Sequence, residues 1–286
     1  MDFIRITKRD NLSRKKEILI TLLAIVLSIV FAGIILLIFG LNPFEIFKEI
    51  IMGSVGTGLR VKQTIVKAVP LIITSMGIIV AFKMKFWNIG AEGQITMGAL
   101  GASWVALNLS PNLPQPVMLL LMMVGAAVCG GIWAFIPAIF KAKLGTNETI
   151  FTLMMNYVAI KFVTYLQYGP WMDPAANGFP KIAMFPDNAV MPKLGGVNIG
   201  WILAILAAAF VYFFMNYTKK GYEITVVGES IETARYAGMN ISRIIVVAML
   251  ISGGLCGITG MIQASAIEKT LVYGLANGYG FTAIIT

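Results

Sequence analysis

Long apolar runs, each about the length of a membrane crossing, dominate the hydropathy pattern of the chain. A helix needs roughly 20 apolar residues to cross a hydrocarbon core about 30 Å thick. Seven runs meet this requirement, at 18–40, 63–82, 91–109, 117–140, 149–169, 199–216 and 241–263. A further apolar run at 280–286 indicates the start of an eighth. Because backbone polar groups cannot stay unpaired in lipid, we expect the chain to continue beyond Thr286.

This pattern predicts an all-α polytopic membrane protein with at least seven to eight transmembrane helices. The composition agrees, since the 286 residues are 58% hydrophobic and only 12% charged, with a mean hydropathy of +0.84. Residues 1–17 form a basic N-terminus, and residues 18–286 form a single transmembrane domain.

Two connecting segments carry patterns of their own. After the first run, "PFEIFKEIIM" places apolar residues at helical spacing among charged ones. This predicts a short helix lying in the membrane interface. The segment 170–198 is rich in proline and glycine and is interpreted as an ordered external loop.

The distribution of basic residues predicts the orientation. With the N-terminus inside, 14 of the 22 basic residues fall in 1–17, 83–90, 141–148 and 217–240 together with Arg243, and six fall on the opposite side. This bias predicts a cytoplasmic N-terminus. The net charge of +9 is then a topology signal, and we expect no nucleic-acid partner.

The stretch "KMKFWNIGAEGQITMGALGA" carries Asn88, Glu92 and Gln94 at the inner boundary of the third run. We expect Asn88 to cap a helix beginning near Ile89 or Gly90. Glu92 then lies in the first turn, where free N–H groups and the positive end of the helix dipole stabilise a carboxylate. A structural role for Glu92 is therefore favoured over a contact with substrate.

Two further polar residues lie deep in the fifth run. Asn156 either lines a pathway or makes a hydrogen bond between helices, since both arrangements keep its amide paired. Lys161 either extends outward past Tyr165 and Gln167 or faces an aqueous vestibule, and a charge at that depth is a functional candidate.

The longest cytoplasmic loop, 217–240, contains "GESIETARYAGM". Ser230 is a good N-cap, 231–237 is a short helix, and Gly238 is a good C-terminal stop. Two turns of helix are not stable alone in water, so the rest of the protein or a partner has to order them. From composition alone, a solvated connector is the favoured interpretation of this segment.

Several kinds of chemistry are excluded or disfavoured. The chain has no histidine, which excludes histidine-based acid–base catalysis and metal ligation. Its four aspartates lie outside the predicted spans, and no P-loop pattern occurs. We therefore predict no catalytic residue, no metal site and no cofactor bound by this chain.

Four blocks in order, "FWNIGAEGQITMGA", "GTNETIFTLMMNYVA", "GYEITVVGESIETARYAGM" and "YGFTAI", resemble the permease subunits of bacterial ABC importers of the branched-chain amino acid, ribose and nucleoside type. The likeness covers the chain from about residue 60 onward. Within that group the combination most resembles the permeases of importers for nucleosides such as guanosine.

The resemblance implies a permease domain that carries nucleosides across the bacterial plasma membrane by alternating access. It implies partner ATP-binding subunits that use ATP and Mg²⁺, a second permease subunit, alike or different, and an external substrate-binding lipoprotein. It also implies a broken or re-entrant segment near 86–94. A ribose-type sugar or a branched-chain amino acid is the alternative substrate.

The resemblance further implies a coupling helix near 231–237 that docks on the ATP-binding subunit. Its implied contact residues are Glu229, Ser230, Ile231, Glu232, Ala234, Arg235, Tyr236 and Ala237. The candidate pathway or broken-helix residues are Asn88, Glu92, Gln94, Asn156 and Lys161. A proton- or ion-coupled secondary transporter that uses Glu92 remains an alternative from another class.

Overall fold

The computed structural model describes residues 13–109 and 112–286, which are mostly helical. Residues 1–12 of the predicted basic N-terminus lie outside the described residues. The chain divides into two compact units, Met1–Val61 and Lys62–Thr286.

The first unit contains a long helix, α1 (Arg14–Ile38), and a short one, α2 (Pro43–Val55). Gly40 turns the chain between them with a φ of 74°, a left-handed conformation that glycine adopts without strain. The side chain of Asn42 then caps α2 by accepting a 3.1 Å hydrogen bond from the N–H of Phe44. The short helix predicted after the first span is therefore confirmed.

The second unit contains most of α3 and all later elements. The helices are α3 (Gly58–Lys83), α4 (Ala91–Asn108), α5 (Gln115–Leu144), α6 (Glu148–Tyr168), α7 (Gly200–Tyr217), α8 (Lys219–Glu229), α9 (Ile231–Tyr236), α10 (Ile241–Ile262) and α11 (Tyr279–Ile285). A π-helical turn, Gln263–Glu268, extends α10. The strands β1 (Lys193–Leu194) and β2 (Val197–Asn198) form a small antiparallel hairpin.

Six helices among the described residues are long and apolar enough to cross a membrane. They span Lys15–Ile38, Gly58–Lys83, Gln115–Leu144, Glu148–Tyr168, Gly200–Tyr217 and Ile241–Glu268. The all-α polytopic class is confirmed, whereas the predicted count of seven to eight is not. The difference is α4, which occupies the predicted third span but carries Glu92, Gln94 and Thr96. Nearly all of α4 is buried by other parts of the protein, so it does not need the apolar surface of a helix that faces lipid.

The centre of the second unit is formed by α4, α5 and α10, whose backbones approach closely at glycines. Gly98 of α4 lies against Gly257 of α10, and Gly130 of α5 lies against Gly253 of α10. The GxxxG pair Gly253 and Gly257 therefore packs inside this chain. Such small-residue contacts bring backbones together where hydrophobic association between helices is weak.

Adding one methyl group at Gly257 should destabilise the protein, because the new Cβ would overlap with the carbonyl oxygen of Ala126. Overpacking of this kind costs about 1–3 kcal/mol. Gly254 is the matched control in the same helix, since its nearest neighbour would be 3.6 Å from a new Cβ. Thermal unfolding in detergent should therefore show a lower Tm for Gly257→Ala and little change for Gly254→Ala. Equal Tm values would contradict this packing.

The predicted external loop, 170–198, is ordered by contacts with the segment that follows α10. Ile182, Phe185 and Met191 are buried. Ser265 donates a 2.6 Å hydrogen bond to the carbonyl of Ala189, and the N–H of Phe185 donates to the carbonyl of Lys269 at 2.9 Å. The loop is therefore part of the folded unit.

Candidate functional site

Two buried side-chain amides pair with each other, Asn88 in the link between α3 and α4 and Gln94 in α4. The Asn88 amide donates to Oε1 of Gln94 at 3.2 Å, and the Gln94 amide donates back to Oδ1 of Asn88 at 3.1 Å. Asn88 also donates to the hydroxyl of Ser252 in α10 at 3.2 Å. Because both amides are at most 1% exposed, these bonds replace those that water would otherwise make.

The prediction that Asn88 caps a helix beginning near Ile89 or Gly90 is wrong in its geometry. The first residue of α4 is Ala91, and its N-cap, Gly90, has no capping side chain. Asn88 instead accepts a 3.0 Å hydrogen bond from the N–H of Gly90. It therefore fixes the link ahead of α4. The non-helical link, residues 84–90, overlaps the predicted 86–94 break only at 86–90, because α4 is already helical from Ala91. The depth of the link in a membrane stays a prediction.

Asn156 of α6 docks on the same link and on the first turn of α4. Its Oδ1 accepts a 2.8 Å hydrogen bond from the N–H of Gly93, and its amide donates to the carbonyl of Ile89 at 2.9 Å. One turn earlier, the hydroxyl of Thr152 accepts from the N–H of Ile89 at 3.2 Å. Asn156 thus satisfies a backbone N–H that the start of a helix leaves free.

Glu92 lies in the first turn of α4, as predicted, but its carboxylate binds another helix. The N–H groups of Gly278 and Gly280, at the start of α11, donate to its two oxygens at 2.8 Å each. Gly280 packs so closely on Glu92 that an added Cβ would overlap with the backbone of that residue. The dipole of α4 alone therefore does not explain how the carboxylate of Glu92 is stabilised.

Four of the five candidate residues thus come together, and the structure supports a structural role for them. Asn88, Gln94, Asn156 and Glu92 join α4 to α6, α10 and α11 through buried hydrogen bonds. We call these four residues the polar latch. A fully paired buried network rigidifies its surroundings, and each broken bond leaves a costly unpaired group.

Lys161 is not part of the polar latch. It lies on the exposed side of α6, whereas Asn156 lies on the buried side of the same helix. The sequence alone does not distinguish the buried position of Asn156 from the exposed position of Lys161, because it does not show which face of α6 packs on α4.

The segment 217–240, predicted to be cytoplasmic, forms two helices joined at Ser230. Ser230 caps α9 by accepting a 3.2 Å hydrogen bond from the N–H of Thr233, as predicted. The preceding helix, α8, is not predicted from the sequence. At the end of α8, Gly228 lies directly against the backbone of Lys83 and Met84, where an added Cβ would overlap with the carbonyl oxygen of Lys83. The end of α8 therefore contacts the link that carries Asn88.

The eight implied docking residues on and beside α9 differ in their exposure. Ala234 is completely buried, so its side chain packs α9 onto its own chain, and its assignment to the docking surface is corrected. Six others are exposed, namely Glu229, Ile231, Glu232, Arg235, Tyr236 and Ala237, while Ser230 is half-buried. Tyr236 is 97% exposed, an unusual position for an aromatic side chain.

A cavity of about 320 Å³ lies between the 84–90 link and the α8–α9 segment. Its wall includes Met84, Phe86 and Ile231. Lys141 and Glu148, also in the wall, form a 2.6 Å ion pair. The cavity leaves space beside α9 at the point where the end of α8 meets the link.

The sequence analysis does not identify four residues that take part in these contacts: Thr152, Ser252, Gly278 and Gly280. Ser252 and Thr152 are small polar residues inside apolar runs, a signal too common to single them out. Gly278 and Gly280 contribute backbone N–H groups, which no sequence pattern identifies.

Among the described residues, six helices long and apolar enough to cross a membrane indicate a polytopic membrane protein. The chain belongs to the family described as branched-chain amino acid transport system / permease component, whose model matches residues 60–286. It is thus a multi-pass membrane permease of an ABC transporter.

Three relatives illustrate the range of this similarity. The glucose ABC transporter permease protein TsgB13 of Haloferax volcanii is 33% identical over 275 residues, which are 92% of this chain and 72% of the relative. The guanosine ABC transporter permease protein NupP of Bacillus subtilis is 31% identical over 282 residues, covering 95% and 79%. The nucleoside ABC transporter permease protein NupB of Lactococcus lactis is 31% identical over 270 residues, covering 91% and 74%. No solved structure matches the chain.

Proposed function

We propose that this chain forms the membrane pathway of an ATP-driven importer for nucleosides. The observation that carries the proposal is the joint similarity to a guanosine permease and a nucleoside permease over more than nine-tenths of this chain. The four sequence blocks that resemble nucleoside permeases point in the same direction.

A simple sugar is the second candidate substrate, because the glucose permease TsgB13 is 33% identical to the chain. Ribose and branched-chain amino acids follow, the latter through the description of the family. Selectivity in such importers is expected to reside largely in the binding protein, so the permease sequence alone discriminates weakly among these substrates.

The proposed mechanism is alternating access driven from the cytoplasmic side. Membership of the family implies partner ATP-binding subunits and a substrate-binding protein. In the proposal, α9 docks on an ATP-binding subunit through Ile231, Tyr236 and their exposed neighbours. Movement of α9 would pass through Gly228 to the backbone of Lys83 and from there to Asn88, which is bound to α4 and α10. A rigid connection of this kind can tilt the attached spans as one body.

The remaining assignments complete the proposal. The N-terminus is cytoplasmic, the protein lies in the bacterial plasma membrane, and a second permease subunit, alike or different, completes the pathway. The chain binds no metal or organic cofactor, and ATP and Mg²⁺ are used by the ATP-binding partner. The chain therefore has no catalytic residue of its own.

A secondary transporter that binds its coupling proton or ion at Glu92 is less well supported. Both carboxylate oxygens of Glu92 already accept backbone N–H groups at 2.8 Å. A coupling ion would have to compete with these bonds at every cycle.

Uptake of labelled guanosine, glucose, ribose and leucine should be compared in cells with and without this chain. We expect loss of the chain to abolish guanosine uptake and to leave the other three rates unchanged. Restoration by the chain supplied from a plasmid is the control for indirect effects. Loss of glucose or ribose uptake with normal guanosine uptake would contradict the nucleoside assignment.

A further inference from the structure

A row of three tyrosines and one lysine follows the exposed side of α6. Tyr157, Lys161, Tyr165 and Tyr168 recur at spacings of four, four and three residues, which places them on one helix face. The three tyrosines are 61%, 61% and 65% exposed, and Lys161 is also exposed. We call this row the α6 stripe.

The opposite side of α6 is held by the protein interior. Thr152, Asn156, Ala159 and Val163 are buried there, and Asn156 is bound to the start of α4. The rotation of α6 about its axis is therefore fixed by the polar latch, and the α6 stripe cannot turn inward without breaking buried hydrogen bonds.

The α6 stripe differs from a helix face that is suited to lipid. On α5 the exposed row consists of Leu120, Val124, Val128 and Ile132, all aliphatic. The α6 stripe instead presents an ammonium group and three phenol hydroxyls. A lysine near the centre of a membrane helix costs about 2.5–3.5 kcal/mol on insertion scales, and such residues usually face a bundle interior or a water-filled cavity.

Lys161 has no anionic partner within the part of the chain that the structure describes, where the ion pairs join other residues. It is separated from Tyr168 at the outer end of α6 by about 10 Å of helix. Its ammonium donors are therefore available to a ligand or to water at this depth.

The chemistry of the α6 stripe fits a planar heterocycle with hydrogen-bond acceptors on its edge. Tyrosine rings one turn above and one turn below Lys161 offer flat surfaces on which a base can stack. A lysine donates well to the ring nitrogen and carbonyl oxygen of a guanine base. The phenol hydroxyls add groups that can bond to ribose hydroxyls.

We propose that the α6 stripe is a substrate-contacting surface of the pathway, where Lys161 binds the acceptor edge of a purine base between Tyr157 and Tyr165. This inference rests on the proposed nucleoside function and assigns its selectivity within the permease to three side chains. It makes Lys161 a specificity-determining residue.

Thiol labelling tests the location of the α6 stripe. The assembled importer, with its binding protein and ATP-binding subunit, would carry Cys129→Ala and Cys256→Ala, so that Lys161→Cys is the one thiol of this chain. We expect a membrane-impermeant thiol reagent to label Lys161→Cys and to leave the lipid-facing control Val124→Cys unlabelled. Guanosine at about ten times the Kd measured for the Lys161→Cys importer itself should slow the labelling about tenfold, whereas ribose should not. Absence of labelling, or labelling at the same rate with guanosine, would overturn the proposal.

Uptake by Lys161→Met supplies an independent test, because methionine keeps most of the length of the side chain and removes its charge. Loss of one hydrogen bond from a charged donor should reduce guanosine uptake about tenfold or more, with the amount of assembled importer unchanged. Tyr212→Leu, which alters an exposed tyrosine of α7, should leave uptake unchanged.

Normal uptake by Lys161→Met would overturn the proposal while the nucleoside function stands. Absence of guanosine uptake in the unaltered importer would overturn the proposed function itself and the base-binding role with it.

Discussion

Replacing Tyr236 with alanine should separate the permease from its ATP-binding partner and abolish uptake. Tyr236 is 97% exposed on α9, and no other large hydrophobic side chain among the described residues is as exposed. Exposed tyrosines that insert into a partner are frequent hot spots, and their truncation costs about 2 kcal/mol or more, a loss of about 30-fold in affinity. Co-purification of the ATP-binding subunit and guanosine uptake should both fall in Tyr236→Ala.

A matched control lies in the neighbouring helix, α8. Tyr222 of α8 is 64% exposed but lies outside α9, so Tyr222→Ala should retain both co-purification and uptake. If Tyr236→Ala retains them as well, α9 is not the docking helix.

Two alanines, Ala234 in α9 and Ala237 directly after it, extend this test. Ala237 is exposed, so Ala237→Glu places a charge on the proposed docking surface and should block docking while the permease stays folded. Ala234 is buried, so Ala234→Glu forces a charge into the protein and should lower the Tm of the isolated permease. Similar Tm values for the two variants would contradict the orientation of α9.

Removing the carboxylate of Glu92 should strongly destabilise the permease, because the N–H groups of Gly278 and Gly280 lose their acceptor. Hydrogen bonds to charged groups contribute about 1.5–3 kcal/mol each, so Glu92→Ala should cost about 3 kcal/mol or more. Glu92→Gln keeps one acceptor oxygen and should cost less. Thermal unfolding in detergent would give the order wild type, Glu92→Gln, Glu92→Ala from highest to lowest Tm.

Glu17 is the control that separates the two explanations for Glu92. It also lies in the first turn of a helix, α1, but it is exposed. Favourable placement at a helix dipole contributes about 0.3–1 kcal/mol at an exposed site, so Glu17→Ala should have a small effect. Equal effects at the two positions would mean that the bonds to Gly278 and Gly280 contribute nothing beyond the dipole.

The substrate preference of Glu92→Gln tests whether Glu92 of the polar latch contacts substrate or has a structural role. If Glu92 is structural, this variant should transport more slowly while its preference for guanosine over ribose stays unchanged. A changed preference would place Glu92 in contact with substrate.

Much of the fold could be predicted from the sequence, because membrane insertion imposes a strong and local pattern. The boundaries of α1, α3, α5, α6, α7 and α10 lie within a few residues of the predicted runs, and Ser230 caps α9 as expected. These features depend on residues that are close together in the chain.

The parts of the site that were missed depend on contacts between distant residues. Glu92 binds N–H groups 186 and 188 positions away, and Asn88 binds a hydroxyl 164 positions away. Whether Asn156 and Lys161 face inward or outward depends on how α6 rotates against α4. The polarity of α4 likewise reflects burial by neighbouring helices, which hydropathy does not measure.

The energy source for uptake tests the central claim most directly. Guanosine uptake would be measured in membrane vesicles that contain the permease and the binding protein, with and without the ATP-binding subunit and ATP, and with and without a proton uncoupler. The account predicts uptake that requires the ATP-binding subunit and ATP and that persists with the uncoupler. Uptake that persists without the ATP-binding subunit and collapses with the uncoupler would contradict it.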